Sequence, residues 1–133
     1  MSQALEGRAK ELLEEKNFAV VATLRRDGSV LETPVWVDIE DGMPVLNTAE
    51  GRAWPANLER DPRVSISVQN MENPYEYVSV SGRVAERTHE GADEHIDQLA
   101  KKYLGQDSYP FRQPGEERVI IRVAPEHVHY YGA

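Results

Sequence analysis

Short strand patterns separated by turn residues recur along this chain, and they constrain its fold more than any other feature of the sequence. Strands are predicted at residues 18–24, 30–37, 44–48, 63–69, 75–86 and 117–123, with one more at 128–131 after a break at Pro125. Asp27-Gly28 and Asp41-Gly42 predict tight turns. Consecutive hairpins with few helical crossovers favour an antiparallel barrel over a doubly wound parallel sheet.

Three segments with helical spacing interrupt these strands. The first covers residues 2–15, with Ser2 as its N-cap. The second begins after Gly51 and ends at Asp61, and the third covers residues 88–104. The sequence therefore predicts one mainly β domain over residues 1–133, a barrel of six or seven strands with three added helices.

Several strand residues carry more specific expectations. Residues 18–24 are so apolar that a strand buried on both faces is predicted. Pro34 cannot donate a ladder hydrogen bond, so it indicates an edge or a bulge, and such places often lie beside a ligand. Gly82 indicates a bulge or a close backbone approach. Tyr75 and Tyr77 are two apart and are expected on one strand face, either as a stacking platform for a planar ligand or as ordinary cross-strand packing.

The composition narrows the classes of function. The chain has no cysteine, which excludes disulfides, thiolate metal sites and cysteine nucleophiles. The net charge of −8 argues against nucleic acid as the main partner. No apolar run approaches the roughly 20 residues of a membrane span, and no signal-peptide pattern is present, so a cytoplasmic protein without membrane contact is predicted.

An anion pocket is predicted at the start of the second helix. A short strand ends at Asn47 and Thr48, a loop with Gly51 follows, and the helix then begins at or near Arg52. Unpaired N–H groups and the positive end of the helix dipole favour phosphate or carboxylate there. Pro55 falls in the first turn, where its missing N–H costs little. A surface helix with a solvated Arg52 explains this stretch equally well.

Classical catalytic motifs are absent from the sequence. It contains no nucleophile elbow, phosphate-binding Walker loop, zinc-protease motif or dinucleotide fingerprint. His127 and His129 would share a strand face, but no third ligand completes a metal site, so none is predicted. Either the protein is not an enzyme, or a bound cofactor carries the chemistry.

A series of motifs then resembles a known family. It comprises T-L-R-x-D-G-S, T-P-V-W, N-T-x-x-G-R-A, N-L-x-R-D-P-R-V-S, N-P-Y-x-Y-V and S-G-R-V, running from Thr23 to Val84. These motifs resemble the split β-barrel flavin and deazaflavin oxidoreductases related to pyridoxamine phosphate oxidase, and more narrowly their actinobacterial branch that uses coenzyme F-420. H-I-D-x-L-A-x-x-Y-L-G, from His95 to Gly105, and residues 118–123 extend the resemblance to most of the chain.

The resemblance implies a homodimer with two cofactor sites at the subunit interface. The cofactor's phosphate tail would be held by residues of the second helix, Arg52, Ala53 and Asn57. Asn47 and Thr48 would line the same pocket. Pro34, Val35 and Trp36 would lie along the deazaflavin ring, although Trp36 is more simply explained as core packing. Tyr75 and Tyr77 of the other subunit would wall the ring.

One position departs from the family pattern. Many relatives carry lysine two residues after the arginine, in G-R-A-K, and Trp54 stands there in this chain. Phosphate affinity is therefore expected to fall unless another group compensates. Alternatively, Trp54 stacks on the cofactor or the substrate, and this branch binds differently.

The function implied is hydride transfer from reduced coenzyme F-420 to an electron-poor acceptor such as a quinone, an enone or a conjugated tetrapyrrole. Three alternatives remain open. They are an FMN-dependent oxidase or reductase, a non-catalytic deazaflavin carrier, and a haem protein ligated by His127 or His129.

Overall fold

The computed structural model of the protein describes residues 5–132 and contains one seven-stranded antiparallel sheet with three helices. The helices are α1 (Gly7–Glu14), α2 (Ala53–Arg60) and α3 (Ala92–Leu104). The strands are β1 (Ala19–Leu24), β2 (Val30–Val35), β3 (Asp38–Glu40), β4 (Met43–Ala49), β5 (Arg63–Gln69), β6 (Tyr77–Thr88) and β7 (Arg118–Tyr131). The predicted class, mainly β with six or seven strands and three helices, is confirmed.

The sheet order is β2-β1-β5-β6-β7-β4-β3, and every neighbouring pair is antiparallel. β2 lies at one edge of the sheet, which confirms the edge position that Pro34 indicates. On β5, the predicted alternation holds because Val64, Ile66 and Val68 are buried in the core. α1 closes this core with Leu12 and Leu13, whose side chains are fully buried.

The long β6–β7 pair contains a bulge that the sequence only partly predicted. The register shifts between Ser81 and Gly82, where Gly82 pairs with Pro125. A Cβ on Gly82 would lie 1.9 Å from the carbonyl oxygen of Ala124, so the predicted close backbone approach is confirmed. The predicted break at Pro125 is wrong, because β7 continues through it to Tyr131. Pro125 fits at this bulge because the regular hydrogen bonding of the ladder is interrupted there, so the missing N–H of proline is tolerated.

Two predictions for the first strands are wrong. β1 is not buried on both faces, because its residues alternate and Val20 is 37% exposed. β2 ends at Val35 rather than at residue 37, and the separate short strand β3 follows. A three-residue strand is too short to leave a periodic signal in the sequence.

Tyr75 lies outside β6, contrary to the prediction that it shares a strand with Tyr77. The loop before β6 is closed by hydrogen bonds from the amide of Asn70 to the carbonyl of Glu76 and from the amide of Glu76 to the carbonyl of Asn73. The amide of Tyr75 also donates to Oδ1 of Asn73 at 3.3 Å. These local bonds hold Tyr75 in a turn, so the strand begins only at Tyr77.

Two helices begin later than predicted. α1 begins at Gly7 with Glu6 as its N-cap, and the proposed cap Ser2 lies outside the described residues. α3 begins at Ala92 after Gly91, which has a left-handed backbone with φ of +76°. Thr88 belongs to β6 instead, where it pairs with Ile120 of β7. No helix within residues 5–132 combines the length and apolar character needed to cross a bilayer.

Candidate functional site

A cavity of about 520 Å³ opens where β2, β4, the start of α2 and the loop after α3 meet. This volume lies within the usual range for small-molecule sites. Its walls combine aromatic rings with a few polar groups, and the lining residues are Phe18, Leu31, Thr33, Pro34, Val35, Trp36, Asn47, Arg52, Ala53, Trp54, Ile96, Tyr109, Phe111 and Arg118.

The start of α2 supplies an exposed cation to this cavity. Arg52 is the N-cap residue, with an extended backbone, and Ala53 begins the helix. Gly51 precedes it with φ of +94°, a conformation that favours glycine and lets the chain turn sharply from β4 into α2. The Arg52 side chain forms no ion pair with the described residues. It is therefore available for an anion beside the N–H groups of the helix start, which have no partner within the helix.

Trp54 is the second residue of α2 and faces both the core and the cavity. Its side chain is only 3% exposed and belongs to the main hydrophobic cluster together with Leu58. Pro55, the third helical residue, lies within the first turn as predicted. The Trp54 ring thus occupies the position of the lysine in the family pattern G-R-A-K.

The aromatic wall of the cavity is supported from behind by Tyr103 of α3. The Trp36 ring stacks on Tyr103 with centroids 5.2 Å apart and planes 6° apart, and Phe18 stacks on Tyr103 at 5.6 Å. Tyr109 meets Trp36 edge-on at 5.9 Å. Trp36 therefore packs against α3 and also lines the cavity, so the two interpretations of this residue are compatible.

Tyr103 is fixed by its hydroxyl group as well as by its ring. The hydroxyl donates to the carbonyl of Asn17 at 2.6 Å and accepts from the amide of Val37 at 3.1 Å. Burial raises the pKa of Tyr103 to about 12. The hydroxyl therefore stays protonated, and it ties α3 to the chain on either side of β1 and β2.

The polar wall of the cavity is formed by Arg118 and Asn47, which lie on the paired strands β7 and β4. Nε of Arg118 donates to Oδ1 of Asn47 at 3.0 Å, and Nη1 donates to Oε1 of Glu116 at 2.9 Å. The Arg118 guanidinium also lies 5.1 Å from the ring centroid of Tyr109. These contacts fix the guanidinium in one orientation beside the aromatic wall.

A second polar group lies behind Asn47. Nδ2 of Asn47 donates to the carbonyl of Ala92 at 2.9 Å and lies 3.0 Å from Nδ1 of the buried His95. On its other side, Nε2 of His95 lies 3.7 Å from Oδ2 of Asp38. Burial acts to raise the pKa of Asp38, but His95, the Ile39 amide and the nearby charge of Lys102 outweigh it and hold this pKa below its usual value.

The cavity brings together most of the residues predicted to bind the cofactor: Pro34, Val35, Trp36, Asn47, Arg52, Ala53 and Trp54. Thr48 and Asn57 are buried but do not line it. Nδ2 of Asn57 donates to Oγ1 of Thr23 at 3.1 Å, joining α2 to β1. Oγ1 of Thr48 is buried without a hydrogen-bond partner among residues 5–132.

Tyr75 and Tyr77 lie away from this cavity within the same subunit. Tyr75 is 73% exposed, and Tyr77 stacks on Tyr131 of β7 at 5.7 Å. His127 and His129 are exposed on the same strand, opposite Ser81 and Ser79, and neither lines the cavity. A role for the two tyrosines in the partner's site stays a prediction.

Sequence reasoning missed part of the lining: Phe18, Leu31, Thr33, Ile96, Tyr109, Phe111 and Arg118. The sequence could have indicated Arg118 as a candidate site residue, because it is a charged residue at the start of a strand that is otherwise apolar up to residue 121. Tyr109 and Phe111 lie in a polar, proline-bearing loop whose path no periodicity predicts.

The fold and its cavity define a small β-barrel protein with an aromatic cavity that two arginines, Arg52 and Arg118, also line. The sequence matches the family described as pyridoxamine 5′-phosphate oxidase over residues 5–132, and the chain belongs to that family. No functionally curated protein matches the sequence.

Solved structures support the same assignment of fold. A protein named F420 Reductase superposes with a TM-score of 0.79 at 26% identity, covering 90% of this chain and 94% of that one. A conserved hypothetical protein from Mycobacterium tuberculosis gives 0.74 at 22% identity, covering 98% and 86%. HupZ from Group A Streptococcus gives 0.68 at 20% identity, covering 94% and 93%. The fold is thus the split β-barrel.

Proposed function

We propose that this protein is a deazaflavin-dependent oxidoreductase. It would use reduced coenzyme F-420 to transfer a hydride to an electron-poor organic acceptor such as a quinone, an enone or a conjugated tetrapyrrole. The observation that carries this proposal is the exposed Arg52, which forms no ion pair within residues 5–132 and lies at the start of α2 beside an aromatic cavity of about 520 Å³. The likeness to the protein named F420 Reductase supports the choice of cofactor.

The residues of the cavity suit the parts of such a cofactor. Arg52 and the N–H groups that begin at Ala53 would hold the phosphate of its tail, since both favour an anion. Pro34 and Val35 on the edge strand β2 would offer backbone groups to the ring, and Trp36 would cover it with an apolar surface. When bound, the reduced deazaflavin supplies the hydride, and the protein orients the reactants and excludes water.

A homodimer is part of the proposal. Tyr75 and Tyr77 lie outside the cavity of their own subunit, and Tyr75 is largely exposed. A second copy of the chain would bring them to the ring, and either tyrosine or water would supply the proton that completes the reduction. Sedimentation equilibrium tests this part, and a monomer at all micromolar concentrations would contradict it.

FMN is the second candidate cofactor, because the chain belongs to the pyridoxamine 5′-phosphate oxidase family. Its single phosphate would occupy the same position beside Arg52.

Two further alternatives give different experimental results. A non-catalytic deazaflavin carrier would bind the cofactor but show no hydride transfer to any acceptor. A haem protein would show a Soret band on haem addition that is lost when His127 or His129 is changed to alanine.

Fluorescence titration of the purified protein with coenzyme F-420, and separately with FMN, tests the function. We expect selective micromolar binding of the deazaflavin, corresponding to about −8 kcal/mol. Preference for FMN would move the protein to the flavin-dependent enzymes. Binding of neither cofactor, together with no hydride transfer from any reduced flavin or deazaflavin, would overturn the proposal.

A further inference from the structure

Arg118 is a buried cation in the cavity wall, and one of its nitrogens forms no hydrogen bond with residues 5–132. Its side chain is 2% exposed, Nε is bonded to Asn47, and Nη1 is bonded to Glu116. Within the described part of the chain, Nη2 has no hydrogen-bond partner. The buried side-chain atoms without a partner among residues 5–132 are Oγ1 of Thr48 and Nε2 of His95, so Nη2 of Arg118 stays accessible to solvent. A ligand oxygen in the cavity can accept its hydrogen bond in place of water.

The charges around Arg118 favour a neutral ligand oxygen over a carboxylate. The Glu116 side chain is only 7% exposed and already compensates the guanidinium across 2.9 Å. A ligand carboxylate would add a second negative charge beside Glu116 in a desolvated place, which is unfavourable. A carbonyl oxygen accepts the free N–H without adding charge. Arg52, which is exposed and has no carboxylate partner among residues 5–132, is the better site for an anion.

We propose that Arg118 donates a hydrogen bond to a carbonyl oxygen of the electron acceptor, which makes quinones and enones the preferred substrate class. This inference rests on the function proposed above. In the reduction of an enone, the β-carbon would gain a hydride as the C–H bond of the reduced cofactor breaks and the cofactor is oxidised by two electrons. The carbon–carbon π bond of the enone would break, and its electron pair would move toward the carbonyl oxygen. The enolate would then take a proton from water or from Tyr75 or Tyr77 of the second copy. Arg118 stabilises the negative charge as it develops on that oxygen.

Two matched ligands separate carbonyl recognition from simple filling of the cavity. Menadione, a methylated naphthoquinone, and 2-methylnaphthalene share a carbon skeleton, but only menadione has carbonyl groups. The chain has no cysteine, so menadione cannot react with a protein thiol during the titration. Equilibrium dialysis gives both dissociation constants, with the apo protein and with protein loaded with oxidised coenzyme F-420.

Three variants make the test specific. Arg118→Met removes the donor but leaves Glu116 buried and unpaired, which endangers folding. The double variant Arg118→Met/Glu116→Gln removes both charges, so it leaves no buried, unpaired carboxylate that would prevent folding. Arg122→Met is the control, because Arg122 lies on the same strand but pairs with Glu40 and Glu86 outside the cavity.

The decisive quantity is the affinity for menadione divided by that for 2-methylnaphthalene. We expect this ratio to fall about tenfold in both Arg118 variants, as for loss of one hydrogen bond to a charged group, and to stay unchanged in Arg122→Met. An unchanged ratio in the double variant, or no binding of menadione to the wild-type protein, would overturn the inference. The cofactor titration tests the proposed function independently of the menadione measurements. Failure of the proposed function can therefore be distinguished from failure of the inference about Arg118.

Discussion

The rings of Trp36 and Tyr103 lie parallel, with centroids 5.2 Å apart, although one belongs to the segment after β2 and the other to the end of α3. Tyr103 is fixed by the hydrogen bonds of its hydroxyl group to Asn17 and Val37. The position of the cavity's aromatic wall therefore depends on a buried phenol that does not itself line the cavity.

Replacing Tyr103 by phenylalanine is expected to lower the free energy of unfolding by about 1 to 3 kcal/mol, because the amide of Val37 and the carbonyl of Asn17 each lose a partner. Urea denaturation measures the change. Tyr131→Phe is the matched control, since Tyr131 is 49% exposed and its hydroxyl has no hydrogen bond within residues 5–132. Equal losses of unfolding free energy in the two variants would show that the Tyr103 hydroxyl does not stabilise the fold through its hydrogen bonds.

Alkaline pH should destabilise the protein through the same residue. The pKa of Tyr103 is about 12 in the folded protein and 10.0 for a free tyrosine, so the unfolded chain releases this proton first. The contribution of the protonated Tyr103 hydroxyl to the free energy of unfolding is complete below pH 10. This contribution, roughly 2 to 3 kcal/mol, is lost as the pH rises to 12. Denaturation midpoints across this interval should fall more steeply for the wild type than for Tyr103→Phe. Parallel curves would refute the prediction.

Arg52→Ala is expected to weaken binding of coenzyme F-420 by about 1 kcal/mol, a roughly fivefold rise in the dissociation constant. The effect is modest because Arg52 is exposed, and it should shrink at high salt. Arg26→Ala is the control, an exposed arginine in the turn between β1 and β2, outside the cavity. If both variants bind the cofactor equally well, Arg52 does not hold its phosphate.

Gly82→Ala is expected to destabilise the fold by about 3 kcal/mol or more, because the new Cβ would lie 1.9 Å from the backbone carbonyl of Ala124. Since that contact is with backbone, it cannot be relieved by a side-chain rotation. Ser79→Ala on the same strand should change the urea midpoint little. A stable Gly82→Ala protein would show that the β6–β7 bulge can open.

The sequence predicted the strand–loop–helix arrangement around Arg52 because its signals are local. The turn at Gly51, the helix start and the stop at Asp61 depend on neighbouring residues alone. The alternation of β5 was equally visible, since the spacing of apolar residues reports directly which face is buried. Tyr75 was misplaced because loop hydrogen bonds, which leave no periodic pattern, decide where β6 begins.

The sequence by itself therefore determined the fold class, an edge or a bulge at Pro34, a bulge or a close approach at Gly82 and a cation at the start of α2, because each follows from backbone chemistry within a few residues. Only the tertiary structure decided that Arg118 faces the same cavity as Arg52 and that Trp36 rests on Tyr103. Those pairs are separated by more than sixty residues. Their meeting depends on how β7 and α3 pack against β4 and β2, which no local pattern specifies.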